Sequence, residues 1–219
     1  MNSSYRDRLP NPRNATRFWW VRHALVPSIR DVMYGSLDVD CDTGDRPLFE
    51  SIARQLPVGA HWVTSPMKRA SQTADALVDA GAIELRRESD AAIVEQDFGD
   101  FNGLTHAELF ARRNDGYLAY WPLPPEQVAP GGESFEALRN RVQGFIDRMC
   151  AEHRGGNVVV ITHRGPILAA LQIALNLPLH NSVSFDIGNV SLTRLTHHAD
   201  VPEGGPQWKV TDVSWLPGK

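Results

Sequence analysis

Two patterns of apolar residues alternate along this chain. Short uninterrupted runs, RFWWV (17–21) and NVVVIT (157–162), have the length and residue types of strands. The second is apolar on successive positions, so it predicts a strand buried on both faces. AHWVT (60–64) predicts a shorter strand, and IELRRES (83–89) alternates as an outer strand would. Between these runs, RPLFESIARQL (46–56), PMKRASQTADALVDA (66–80), ESFEALRNRVQGFIDRMCAEH (133–153) and GPILAALQIAL (165–175) carry apolar residues at helical spacing. The longest places Phe135, Leu138, Val142, Phe145 and Met149 on one stripe. Ser65 as N-cap, Pro66 in the first turn and Gly81 past the end predict the limits of the second helix. Thr105 and Glu108 stand at capping-box spacing in THAELFARR (105–113). Residues 182–215 predict two or three strands around the polar stretch HHADVPEGGPQ.

Strands alternating with helices predict an α/β fold, a mostly parallel central sheet with helices on both faces. The polar, proline-containing residues 1–16 are expected to form a flexible tail, and 17–219 a single domain. The stretch from about 104 to 132, rich in Pro, Gly and aromatic residues, is expected to form a cap or long loop.

Charge and cysteine content narrow the partners. The net charge is −4, so no global basic field exists to hold nucleic acid or an anionic membrane. No apolar run approaches the roughly 20 residues needed to span a bilayer, and no secretory signal opens the chain. Cys41 and Cys150, far apart and outside any Cys/His cluster, predict two unpaired thiols in a reducing cytoplasm. The expected partner is a small molecule, and the chain a monomer or homodimer. His197-His198 lies in a polar turn without Cys or Glu at ligand spacing, so no metal is expected there.

Ligands of parallel sheets gather beyond the carboxyl ends of the strands. Three predicted strands end there in polar residues: Val21 precedes Arg22-His23, Thr64 precedes Ser65 with Arg69 four residues on, and Thr162 precedes His163. Two arginines and two histidines would converge on one edge if those strands are neighbours. Guanidinium forks match phosphate oxygens, and Arg69 and His163 sit near predicted helix N-termini, which favour anions. The constellation points to a phosphoryl group. Neighbouring cations keep an imidazole neutral, so a histidine there can attack phosphorus, while a nearby carboxylic acid serves the leaving oxygen.

These residues resemble the histidine phosphatase superfamily, the phosphoglycerate mutase-like family. VRHAL (21–25) is similar to its Arg-His-Gly turn, with Ala24 for Gly. SPMKRASQTA (65–74) matches Ser-Pro-x-x-Arg-Ala-x-Gln-Thr-Ala at every fixed position. EQDFGDFNG (95–103), GGESF (131–135) and VVVITHRGP (158–166) come next, in the family's order. The resemblance implies a three-layer phosphoglycerate mutase-like fold. It implies His23 as the phosphorylated nucleophile, Arg22, Arg69 and His163 as the phosphate clamp, and Glu95 as proton donor and acceptor, with no metal or other cofactor. The substrate would be a small phosphate ester.

The chain departs from the pattern in places. Leu25, Val26 and Ile29 replace polar residues of the family, so a phosphate contact is expected either to be missing or to come from Ser28 or Arg30 instead. Arg164 stands where the family often has Gly and is expected to point to solvent, the alternative being the pocket. Trp121 is followed by Pro122-Leu123 rather than the arginine pair of the mutases, which favours water as acceptor. The implied activity is a metal-independent phosphatase of phosphomonoesters; a mutase and a non-catalytic binding module are the alternatives. YGSLDVDCD (34–42) and GGESF are similar to the alpha-ribazole phosphatase branch, where Tyr117, Tyr120 and Trp121 would either stack on a flat aglycone or pack the cap. Trp121 is therefore a substrate-binding candidate.

Overall fold

The computed structural model describes residues 12–27, 31–112, 121–201 and 205–218. β1 (Ala15–Arg22), β2 (His61–Thr64), β3 (Arg87–Ser89), β4 (Asn157–Thr162), β5 (Leu192–His198) and β6 (Trp208–Trp215) form one sheet in the order β3-β2-β4-β1-β5-β6. β3, β2, β4 and β1 run parallel, and β5 and β6 are antiparallel additions. This is the α/β architecture that the alternation predicts.

The continuous apolar strands are explained by two cores. Phe18, Trp20, Val158 and Val160 point to the face covered by α4 (Phe135–Glu152) and α5 (Arg164–Leu175). Val21, Trp62, Val159 and Ile161 point to the face covered by α1 (Arg46–Ala53) and α2 (Lys68–Asp79). Period-2 alternation thus feeds both layers. The α4 stripe from Phe135 to Met149 is fully buried, and Ser134 Oγ caps the helix by accepting the Ala137 N–H at 3.0 Å. In α3 (His106–Arg112), Glu108 accepts from the Thr105 N–H and Thr105 Oγ1 from the Glu108 N–H, a complete capping box. The short α6 (Leu179–Ser182) precedes β5.

Several limits differ from the sequence reading. Ala15 and Thr16, assigned to the tail, are buried at the head of β1, because β5 pairs with them. Only Arg87–Ser89 of the stretch 83–89 is a strand; β2 offers partners for three residues, and Ile83 and Leu85 lie exposed beside it. The tail of the chain supplies two strands. α2 starts at Lys68, not at Pro66: Asp38 Oδ1 accepts the Lys68 N–H at 2.7 Å, while the Ser65 hydroxyl accepts the Met67 N–H at 3.3 Å and faces His163. No helix of the described residues is long and apolar enough to cross a membrane.

Strand register aligns the polar strand ends. Arg22 pairs with Thr162 and Thr64 with Ile161, so β1, β4 and β2 end level at one edge.

Candidate active site

His23 and His163, 140 positions apart, meet at that edge. Their ring centroids are 5.1 Å apart, and both side chains are fully buried. Arg69, also fully buried, reaches His163 from the first turn of α2, its Nε donating to Nδ1 at 3.1 Å. Arg22 enters from the end of β1. Glu95 completes the group from the segment after β3. Of the site residues read from the sequence, the structure brings together His23, His163, Arg22, Arg69 and Glu95. Ser28 lies outside the described residues, as do Ile29, Arg30, Tyr117 and Tyr120.

The hydrogen bonds distinguish the two histidines. Arg69 can only donate, so Nδ1 of His163 accepts and its proton sits on Nε2, which donates to Ser65 Oγ at 2.8 Å. Both nitrogens of His163 are occupied. Nδ1 of His23 faces the Ala24 carbonyl at 2.7 Å and must be the donor there. That leaves Nε2 of His23 a bare lone pair, buried without a partner. Burial first, then the charges of Arg22 and Arg69, hold the His23 pKa well below the usual histidine value. Burial, then Arg69, does the same for His163. Both rings are neutral at pH 7.

The peptide that carries His23 is fixed at both polar ends. Asn189 Nδ2 donates to the His23 carbonyl at 2.9 Å, and the Ala24 N–H donates to Thr73 Oγ1 at 2.8 Å. This one peptide plane sets the Ala24 carbonyl that holds the ring's Nδ1–H. Thr73 and Asn189 therefore position the imidazole. Thr73 lay inside the SPMKRASQTA match without a role; Asn189 gave no local signal. Thr73→Val should lower kcat by about tenfold at nearly constant KM, with Thr73→Ser restoring it, as expected for a lost buried acceptor. Equal kinetics for the valine and serine variants would remove this role.

The Arg69 guanidinium also donates to the carbonyls of Leu37 at 2.6 Å and Gly35 at 2.7 Å, and it lies 5.1 Å from the Tyr34 ring. Gly35 has φ +34°, and a Cβ there would collide with Asn102 and Phe98. Ser36 Oγ and Asn102 Nδ2 both donate to Asp97 Oδ1, at 2.9 and 2.7 Å. YGSLD and EQDFGDFNG are thus two sides of one wall. Glu133, from GGESF, does not reach the histidines. It pairs with Arg141 at 2.6 Å, and Arg141 binds the carbonyls of Ala92 and Glu95, which fixes the backbone under Glu95.

Glu95 itself is 8% exposed, and its Oε1 accepts the N–H groups of Gln96 and Gly165, each at 3.0 Å. Gly165 lies in the first turn of α5, so the carboxyl faces a helix N-terminus. A Cβ at Gly165 would collide with Oε1. Gly165→Ala should push the carboxyl away and lower kcat by roughly 100-fold, the lower end of what a general acid-base group contributes. A crystal structure of that variant with Glu95 undisplaced would contradict this cause.

Two expectations require correction. Arg164 does not point to solvent: it is partly buried, its Nη2 donates to the Phe185 carbonyl at 3.2 Å, and its guanidinium lies 5.3 Å from the Trp121 ring centroid. Trp121, a substrate-binding candidate that could either stack on substrate or pack the cap, packs: it is 5% exposed and lies edge-on against Phe98 and Phe135. The indole is part of the core beside Leu123 and Ala129, so it is not displayed to a ligand. Arg112 is exposed at the end of α3, as a solvated helix end should be.

Comparison with known proteins identifies the family. Residues 18–204 match the family described as histidine phosphatase superfamily (branch 1). A glucosyl-3-phosphoglycerate phosphatase of Mycolicibacterium vanbaalenii is 29% identical over 195 residues, 84% of each chain. A phosphoserine phosphatase 1 of Hydrogenobacter thermophilus is 30% identical over 128 residues, covering 58% of this chain and 60% of that protein. A bifunctional protein of Mycobacterium tuberculosis is 37% identical over 114 residues, only 30% of its own length. The solved structure of a mycobacterial glucosyl-3-phosphoglycerate phosphatase superposes with a TM-score of 0.76 at 27% identity, over 91% of this chain and 98% of that one. An Escherichia coli structure described as a putative alpha-ribazole-5'-P phosphatase shares the fold, with a TM-score of 0.75 at 19% identity.

Proposed function

Since the chain belongs to the histidine phosphatase superfamily, we propose that it hydrolyses small phosphomonoesters through a phosphohistidine on His23. One observation carries this reading. His23 Nε2 is a buried lone pair without a partner, on a ring whose other nitrogen is held as a donor, among two guanidinium groups and a second, fully engaged histidine.

In the first step Nε2 attacks phosphorus and the P–O bond to the leaving group breaks. Glu95, protonated, gives its proton to the departing alkoxide. In the second step Glu95, now a carboxylate, takes a proton from water, the hydroxide oxygen attacks phosphorus, and the P–N bond breaks to release phosphate. Arg22 and Arg69 stabilise the charge on the equatorial oxygens, most of the work in phosphoryl transfer, and His163 joins them by turning its Nε2–H from Ser65 Oγ to a phosphoryl oxygen. In this scheme the guanidinium groups supply the positive charge that other phosphatases draw from metal ions.

Water is the acceptor we favour over a second hydroxyl. Pro122-Leu123 follows Trp121 where mutases carry an arginine pair, and two of the similar proteins are named as phosphatases. A panel of phosphomonoesters tests this, with 3-phosphoglycerate assayed for both hydrolysis and isomerisation. Hydrolysis of several esters is expected to exceed isomerisation by at least about tenfold, a gap of roughly 1.4 kcal/mol in barrier. Isomerisation as fast as the best hydrolysis would replace the phosphatase reading with a mutase. No turnover and no phosphoenzyme would replace it with a binding module.

A further inference from the structure

Among the described residues, backbone φ is positive at three that are not glycine: Asn176, Val190 and Ser214. Asn176 closes α5, where a left-handed residue is ordinary. Val190 at +56° and Ser214 at +54° have no helix end to explain them. A β-branched residue in that region is an outlier, and such strain persists only where the surroundings over-determine it. One contact joins the two places. Ser214 Oγ accepts the Gly188 N–H at 2.8 Å, close before Val190 in the chain. Ser214 turns toward it where β6 shifts register against β5. Its own N–H donates to a side chain, Thr193 Oγ1, at 3.0 Å.

Residues 187–191 wrap around the Arg22-His23 pair. The Arg22 N–H donates to the Ser191 carbonyl at 3.3 Å, and the Arg22 carbonyl accepts the Val190 N–H at 3.0 Å. Asn189 holds the His23 carbonyl. Arg22 Nη1 donates to the Ile187 carbonyl at 2.5 Å. Arg22 Nε is buried without a partner among the described residues, which leaves the Ile187 bond to orient the guanidinium fork. That carbonyl and the Gly188 N–H are the two ends of one planar peptide unit. Its oxygen faces Arg22 and its N–H faces Ser214. A chain of hydrogen bonds therefore runs from β6 through this peptide to the phosphate clamp, each bond polarising the next.

We propose that Ser214 is a positioning residue of the phosphate clamp: its hydroxyl sets the Ile187–Gly188 peptide plane, and that plane sets the Arg22 guanidinium. This rests on the phosphatase reading, in which Arg22 holds the phosphoryl oxygens. The left-handed backbone at Val190 and Ser214 is the strain that this geometry requires. Without the hydroxyl the Gly188 N–H loses its acceptor and the peptide can rotate. A fork so displaced costs more in the transition state than in the ground state.

Ser214→Ala and Ser214→Gly test this. Both remove the hydroxyl, but glycine adopts the left-handed backbone without strain, so the glycine variant keeps the fold. With p-nitrophenyl phosphate, both should lose about tenfold in kcat, with KM within about threefold of wild type. Inhibition by vanadate, which takes the five-coordinate shape of the transition state, should weaken about as much as kcat. Inhibition by inorganic phosphate, a ground-state mimic, should weaken less. Melting should separate the pair, with glycine the more stable. Wild-type kinetics in the glycine variant would mean that the backbone matters and the hydroxyl does not, which overturns the proposal. So does a rise in KM alone. A substrate-free readout keeps the proposal apart from the phosphatase reading. The Arg22 Nε–H signal in a 1H–15N spectrum, assigned by its loss in Arg22→Lys, should move in both variants. An unmoved signal overturns the positioning role even in an active phosphatase. A moved signal in a protein that turns over no monoester removes the phosphatase reading and keeps the hold of Ser214 on Arg22.

Discussion

His23→Ala is expected to reduce kcat/KM for p-nitrophenyl phosphate by roughly four orders of magnitude or more, because removing one member of a coupled nucleophile unit forfeits most of its rate acceleration. The reason lies in the lone pair that no other group can supply. His163 is close, at 5.1 Å between rings, but its Nδ1 is taken by Arg69 and its Nε2–H by Ser65. It offers no lone pair to phosphorus unless the Arg69 bond breaks, and Arg69 is held by two further carbonyls. Rapid quench with a 32P-labelled ester should trap an acid-labile, base-stable phosphoenzyme in wild type and none in His23→Ala. The Asn189 and Thr73 contacts are made to backbone and survive the substitution, so the variant should fold. A loss smaller than about tenfold, with label still trapped, would assign the nucleophile to another residue.

The sequence made the ingredients of this site legible and left their wiring hidden. The carboxyl ends of three apolar runs announced Arg22-His23, Arg69 and His163, because period-2 burial and strand length are local signals. Even the limits of β4 coincide with NVVVIT. Which imidazole keeps a free nitrogen was not legible, since it depends on bonds between residues far apart in the chain: Arg69 to His163, Ser65 to His163, Asn189 to His23. The same cause displaced the start of α2. Ser65 looked like its N-cap, but its hydroxyl accepts from His163, and Asp38, 30 residues upstream, caps Lys68 instead. Arg164 misled for a related reason: beside a helix start a charged residue usually points to water, and only the fold shows that Trp121 and Phe185 receive it. Gly35 and Gly165 were legible as motif letters, but their necessity comes from side chains that approach from other segments.

The neutral histidines carry a second consequence, for stability. Both are fully buried, with pKa values held well below 6.5. In the unfolded chain each protonates as pH falls through about 6.5. Between that value and the lowered folded value, the unfolded state binds more protons, so stability falls as pH falls. Each such histidine removes up to about 1.4 kcal/mol per pH unit in this window. The two together make the fold less stable at pH 5 than at pH 7.5, seen as a lower Tm at the acid end. His153 and His197, also lowered chiefly by burial, add in the same direction. Melting curves of wild type and of the His23→Asn/His163→Asn double variant at the two pH values isolate the pair. The double variant should lose at least about half of the wild-type pH dependence, each histidine contributing about one proton. A wild-type Tm unchanged between pH 7.5 and 5, or an undiminished slope in the double variant, would mean that the rings are not neutral in the folded state. The burial that exposes the fold to acid is the same burial that keeps Nε2 of His23 deprotonated. Activity of the folded enzyme should therefore persist well below pH 6, and its acid limit should be set by unfolding rather than by protonation of the nucleophile.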